Sequence, residues 1–495
     1  MENSNSIVLN GNSKEIIRET LFQETVSVSL LNGQSVLGAT AKSRVTAIEA
    51  LDGELRVSVK TTFTVVKKDE EGSVYAEKEE SETQRSIVVN GLKATSKVNV
   101  TARVTECEKT DASSSRLRAT VEVSGWFIRM NEIVLADASR GDIKCKTEKI
   151  AVENVLALAD TTMPLTYTDE ARMPIARVVD YDCQVSVDTV YPSAGTYRAE
   201  GELIVRVVAM ADNGSFFTQS FSHPFSADNA EEFLNENMKL EVEGKIKSAE
   251  YTVTESDKRI LVSDVTAVLV GVALEEKEGE SVLDAYSLTN EIEKVEETTK
   301  INSRFCLRSV REKATATVGV EGGVSEVLCV LTPCVSVVGR MGEDGIVAEG
   351  VVGASVLYTD ENGTTKSIVG EIPFMSRLGG EYPCETVFAP EVIVTALNAR
   401  PRGGSEIELT AELLVTVRGA KEKEICVIAD VVMGEEKDRD DVAISLYIVK
   451  KGETLWDVAK ELNADEEVLA EQNADVALPL KGGEKIILYK EIKDE

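Results

Sequence analysis

The chain has 495 residues, which predicts about three domains rather than one core, and its 43% hydrophobic and 28% charged residues exclude a disordered tail. Lys and Arg number 54 against 86 Asp and Glu, a formal charge of −32 that repels phosphate backbones and anionic headgroups and so argues against nucleic acid or bare membrane surface as a partner. The single histidine, His223, removes chemistry that needs two imidazoles, and eight cysteines (107, 145, 183, 306, 329, 334, 384 and 426) lack the spacing of a zinc ribbon or disulfide framework.

The chain begins MENSNSIVLNGNSKE, without a basic region followed by an apolar one, so no leader is expected. The most apolar window, 265–274, is about half the length a membrane helix needs, which predicts no transmembrane segment and a cytoplasmic location. The run from Gly53 to Val59 recurs from Gly201 to Val207, and more loosely at Gly350, at spacings of 148 and 149. Between the second and third copies the offset holds over distance: Glu200-Gly201, Asn213-Gly214 and Pro224-Phe225 fall on Glu349-Gly350, Asn362-Gly363 and Pro373-Phe374. A glycine ending an alternating run (Gly125, Gly271, Gly419) and a later aspartate (Asp137, Asp284, Asp430) keep the same period. Three units follow, 14–137, 138–284 and 285–430, the first the most diverged.

Each unit reads as strands. Leu55, Val57, Val59, Thr61, Phe63 and Val65 alternate with polar positions, as do Leu117, Ala119, Val121 and Val123, and Leu409, Ala411, Leu413, Val415 and Val417. A period of two with one apolar face predicts antiparallel, sandwich-type sheets. Asp212-Asn213-Gly214 and Asn362-Gly363 predict hairpin turns in which Asn-Gly supplies positive φ, and a short helix is expected over 227–237. A charge run, Gly434 to Asp441, predicts a linker over 431–444. Beyond it, Leu446 to Val449 reads as a strand, Leu455, Val458, Ala459 and Leu462 fall at helical spacing behind a Thr454/Asp457 cap pair, Asp465 caps a second helix, and Lys485 to Tyr489 closes with a strand. The segment 445–490 is therefore an α+β module of βααβ order.

That last module, from Tyr447-Ile448-Val449-Lys450-Lys451-Gly452-Glu453-Thr454-Leu455-Trp456-Asp457 through Gln472-Asn473 to Gly482-Gly483-Glu484-Lys485-Ile486, resembles a LysM domain. The resemblance implies a shallow groove for N-acetylglucosamine polymers between two loops, mapping to Gly452, Glu453, Thr454, Leu455 and Trp456 and, across the groove, Pro479 and Leu480. Glu453 stands where Asp is commoner, and the loop 474–481 departs from the usual Asn-Pro opening. For Thr454, Leu455 and Trp456, capping and core packing are the plainer reading. The upstream units resemble SPOCS repeats through the Gly-anchored strand, Val356-Leu357-Tyr358, the Pro-Phe pairs and Asp284-Ala285-Tyr286-Ser287. SPOCS repeats followed by one LysM domain are similar to the spore-coat morphogenetic family of SpoIVA-interacting proteins. The resemblance implies a non-enzymatic mother-cell scaffold that holds the basement-layer coat ATPase, SpoIVA, at the forespore surface. The rival expectation is a peptidoglycan-binding protein.

Motifs of catalysis are weak. There is no GxxxxGK[ST] loop and no GxSxG elbow, and no enzyme activity, cofactor or metal is expected. His223 reads as a packing imidazole without a partner for general-base work. Cys329 and Cys334 read as core thiols, and Asp69-Glu70-Glu71, Glu79-Glu80 and Glu275-Glu276 as solvated turns. Trp126-Phe127-Ile128 reads as core, with a partner anchor as the alternative.

Overall fold

The computed structural model describes residues 7–31, 33–110, 116–139, 143–379, 387–437 and 444–489, with the backbone alone at 18, 19, 301–307, 387 and 420–422. Strands hold 74% of it and helices 3%, in several antiparallel sheets, so the fold is mainly β. The chain opens with β1 (Ile7–Asn10), β2 (Ser13–Ser27), β3 (Ser35–Leu51), β4 (Glu54–Lys68), β5 (Val74–Val88), β6 (Val98–Lys109), β7 (Arg116–Arg129) and β8 (Glu132–Leu135). Sheets β3-β4-β5 and β2-β7-β6 close over Leu55, Val57, Val59, Phe63, Leu117, Val121 and Val123, the alternating residues of two central strands.

The next group is β9 (Lys144–Ala157), β10 (Thr161–Glu170), β11 (Ile175–Ser193), β12 (Thr196–Ala211), β13 (Phe216–Ala230), β14 (Lys239–Val253) and β15 (Ile260–Tyr286). Sheets β11-β12-β13 and β10-β15-β14 repeat the two-layer arrangement over Leu203, Val205, Val265 and Leu269. Then come β16 (Asn290–Gly319), β17 (Glu326–Val330), β18 (Cys334–Gly342), β19 (Gly345–Thr359), β20 (Thr365–Gly379), β21 (Val387–Arg402) and β22 (Glu406–Glu436). Here β18-β19-β20, with β17, covers β16-β22-β21 over Val352, Val356, Leu409 and Leu413. The chain ends in β23 (Ile444–Ile448), α1 (Leu455–Glu461), α2 (Glu466–Gln472) and β24 (Lys485–Tyr489).

The register corrects the repeat alignment in the first unit. Gly53 lies in the two-residue turn that joins β3 to β4, where Leu51 pairs with Glu54, and its counterpart is Gly195, in the turn where Ser193 pairs with Thr196. Both glycines have positive φ, +79° and +74°, as a tight hairpin requires. Gly201 instead lies inside β12 opposite Phe225, and Gly350 inside β19 opposite Phe374. A Cβ on either would stand 2.0 or 2.1 Å from a carbonyl oxygen of the neighbouring strand and about 3 Å from the aromatic ring. This glycine–phenylalanine pair is the physical content of the offset between units two and three. In unit one its place is taken by Val59 opposite Thr83.

Four other expectations change. Residues 227–230 end β13, and 231–237 are turns rather than helix, because Leu234 N–H bonds back to Glu231 C=O and Gly195 N–H takes the Leu234 carbonyl. The expected linker as far as Glu436 is the end of β22, and 438–443 lie outside the described residues. At Gly214 and Gly363 the glycine alone has positive φ, while Asn213 accepts from Ser215 N–H through its side chain. Glu79-Glu80 and Glu275-Glu276 lie in strands β5 and β15 rather than in turns.

Each sandwich touches the other two. Leu37 and Val66 of β3 and β4, Val179 and Val208 of β11 and β12, and Leu331, just past β17, with Leu357 of β19 form one apolar cluster. Around it Asp180 accepts from Lys42 Nζ at 2.8 Å and from Thr332 Oγ1, Arg206 donates to Val330 O at 2.8 Å, and Thr40 donates to Thr332 O at 2.7 Å. In the opposite layer Glu243 accepts from Trp126 Nε1 and Asn99 Nδ2, each at 2.9 Å, and pairs with Arg418 at 3.0 Å. Trp126 is thus buried between units. Beyond the sandwiches, three ribbons, β1-β8, β9-β15 and β16-β22, pack together through Leu9, Leu135, Val152 and Val427, and again through Ala136, Val282, Ile428 and Val431.

Candidate functional site at the C-terminal module

The βααβ module folds as its sequence spacing predicts. Thr454 and Asp457 form a reciprocal capping box at α1, and Asp465 accepts from Glu467 N–H at the start of α2. Leu455, Trp456, Val458 and Ala459 point inward with Leu469, Ile486 and Leu488. Thr454 caps and Leu455 packs, the plainer of the two readings. The loops on either side of the expected groove touch directly: Gly452 and Gly482 have positive φ of +92° and +97°, and a Cβ on Gly482 would meet the Lys451 backbone at 2.9 Å.

The residues named from the sequence therefore divide. Gly452, Thr454 and Pro479 are exposed, while Glu453 and Leu480 are half-buried. Glu453 is committed to its own turn: its carboxylate accepts from Lys450 N–H at 2.8 Å and Tyr447 Oη at 3.0 Å, and these bonds, the backbone one foremost, hold its carboxyl below the usual range. Glu484 does the same across the groove for Lys481 and Gly482 N–H. Leu455 and Trp456 are 9% and 7% exposed and do not line an open surface.

Trp456 faces the rest of the chain instead. Its ring meets Tyr286 edge-on at 4.8 Å and its Nε1 donates to Asp284 at 2.9 Å. Asp284 also accepts from Lys294 at 2.6 Å and Lys460 at 2.8 Å, and Tyr286 Oη donates to Ala464 O at 2.8 Å. Burial raises the Asp284 carboxyl, but the hydrogen bonds from Lys294, Lys460 and Trp456 outweigh it and hold the group well below its usual value. Lys144 pairs with Asp465, and Lys437 bridges Ser287 O and Asn463. The module is thereby seated on the far ends of β9, β15 and β16. The signal was in the sequence as Asp284-Ala285-Tyr286-Ser287, without any indication of what it holds.

Elsewhere, His223 stacks on Tyr167 at 4.1 Å and pairs with Asp169 at 3.0 Å, a partner that sequence alone did not supply. It joins the edges of two sheets of the second sandwich. Cys329 and Cys334 are buried, and burial pushes both thiols up to about 12. A cleft of about 440 Å³ between the first and third sandwiches is lined by Thr40, Glu106, Cys107, Thr332, Cys334 and Glu371. Among the described residues no three His, Cys, Asp or Glu side chains gather as a metal site, and no helix is long and apolar enough to cross a membrane. No protein-family model, curated protein or solved structure matches the chain.

Proposed function

We propose that the chain is a non-enzymatic assembly scaffold of the endospore envelope, whose LysM-like module presents a surface to a protein partner, the basement-layer coat ATPase SpoIVA, at the forespore. The observation that carries this reading is the seating of the module. Asp284 and Tyr286 hold α1 against a stalk of three ribbons, while the opposite side of the module stays exposed. A module fixed in one pose suits ordered assembly, because a partner bound there takes a defined position relative to the three sandwiches. In the groove, the two carboxylates that could recognise an acetamide already hold their own loops. That occupancy favours protein over glycan.

The test sets the full-length chain against immobilised SpoIVA and, side by side, N-acetylglucosamine oligomers and peptidoglycan. Saturable binding to the ATPase alone is the expected result. Binding to glycan alone would overturn the scaffold reading and return the protein to the wall-binding class.

A further inference from the structure

We propose that the open edge of β23 takes up an extended strand from an acidic protein partner. The two edges of the β23-β24 ribbon are treated differently. On β24, the outward backbone groups are already occupied: Asn473 Nδ2 donates to Ile487 O at 2.7 Å while its Oδ1 accepts from Ile487 N–H at 2.8 Å, and Gln472 does the same for Tyr489 at 3.1 and 2.8 Å. Two side-chain amides thus stand in for a neighbouring strand.

These bonds also fix the geometry of β23. Leu446 pairs with Ile487 and Ile444 with Tyr489. Since Ile487 and Tyr489 point their N–H and C=O away from β23, their partners point theirs away from β24. The outward groups of Leu446 and Ile448 meet no partner among the described residues. An edge of this kind is a template for another chain, and proteins ordinarily blunt it with charge, proline or a cover. Here it carries Ile444, Leu446 and Ile448, exposed at 59, 58 and 59%, with Tyr489 at 54% beside them.

The same surface states what the strand is. Unpaired backbone groups require an extended segment, and apolar side chains at every second position require apolar residues at every second position of the guest. At the Ile448 end lie Lys450, Lys451, Lys481 and Lys485, with Lys485 directly opposite Ile448. Of the two glutamates there, Glu484 is turned into its own loop, while Glu453 holds its own turn and pairs with Lys450 Nζ at 3.4 Å. Four lysines against two glutamates is a basic spot on a chain of net charge −32, and it selects acidic residues at that end of the guest. The site deepens the scaffold reading but rests on the ribbon's own geometry.

The test uses the full chain and a labelled peptide, Asp-Asp-Val-Thr-Val-Thr-Val-Ser. Fluorescence anisotropy should show saturable binding that weakens with salt and when Lys replaces both Asp. Hydrogen exchange at the Leu446 and Ile448 amides should slow about tenfold or more in the complex, while Ile487 and Tyr489 remain unchanged. Leu446→Asn and Ile448→Thr, both on an exposed face, should each weaken binding about tenfold, whereas Val468→Asp on α2 should not. Absence of saturation at millimolar peptide, or binding that leaves the Leu446 and Ile448 amides unprotected, would overturn the proposal. SpoIVA binding that ignores Leu446→Asn overturns it for that partner and leaves the scaffold reading standing; peptide binding without SpoIVA binding does the reverse.

Discussion

At the residue scale the buried carboxylate of Asp180 shows how the three sandwiches are joined. Burial alone would raise its pKa, yet Lys42, Thr332 and the nearby Arg206 bring it down to about 2. Lys42 comes from the first sandwich, Asp180 and Arg206 from the second, and Thr332 from the third, so one ion ties the second sandwich to both of the others. A carboxylate depressed in the folded state stabilises fully above its unfolded value of about 3.9, and the contribution is lost as pH falls through the folded value. Asp180→Asn should therefore cost about 3 kcal/mol at pH 7, and the gap from the parent chain should shrink between about pH 4 and pH 2. Chemical denaturation of both proteins across that range measures it. A gap that persists unchanged at pH 2 would mean the cost came from packing rather than from charge.

At the scale of elements the sequence was legible wherever a local pattern decides the outcome. Alternation gave the strands, and the Thr454/Asp457 spacing gave the cap of α1, because both depend on neighbours within a few residues. The alignment of the first repeat failed for a related reason: Gly53 and Gly201 stand before the same pattern Glu-Leu-x-Val but do different work, one turning a hairpin and the other making room for a ring. The expected helix over 227–237 failed because its residues pair with the start of β12, a contact the local pattern does not record. At the candidate site, sequence placed Thr454 and Leu455 correctly as cap and core but could not turn Trp456 toward Tyr286, which is far away in the chain. Gly350→Ala puts a methyl 2.1 Å from Ser336 O and 2.8 Å from the Phe374 ring, whereas Gly363, with nothing within 4 Å, strains only its φ. Gly350→Ala should cost about 3 kcal/mol and Gly363→Ala about 1 kcal/mol. Thermal melts that rank them the other way would remove the close approach as the reason for the repeat.

At the scale of the whole molecule the charge run and the change of fold class predicted a tethered module, and the contacts of Asp284 make it a seated one. Asp284 receives two ammonium groups and an indole N–H, and its neighbour Tyr286 reaches the carbonyl of Ala464 between the helices. Hydrogen bonds to a charged group contribute about 2 kcal/mol each, so Asp284→Asn should shift the balance between seated and released module by about thirtyfold or more. The module itself should stay folded, since its core of Val458, Leu469, Ile486 and Leu488 does not involve Asp284. Amide relaxation separates the two states. A seated module tumbles with the 53.7 kDa chain and gives broad signals, whereas a released one tumbles on its own and gives sharp ones. Sharp signals for α1 and α2 in Asp284→Asn, broad ones in the parent, are the expected pair. If both stay broad, the seat rests on Tyr286 and the Lys144–Asp465 pair, and the fixed presentation of β23 survives without Asp284. If both are sharp, the module is a tether, and a partner bound to it takes no defined position relative to the sandwiches.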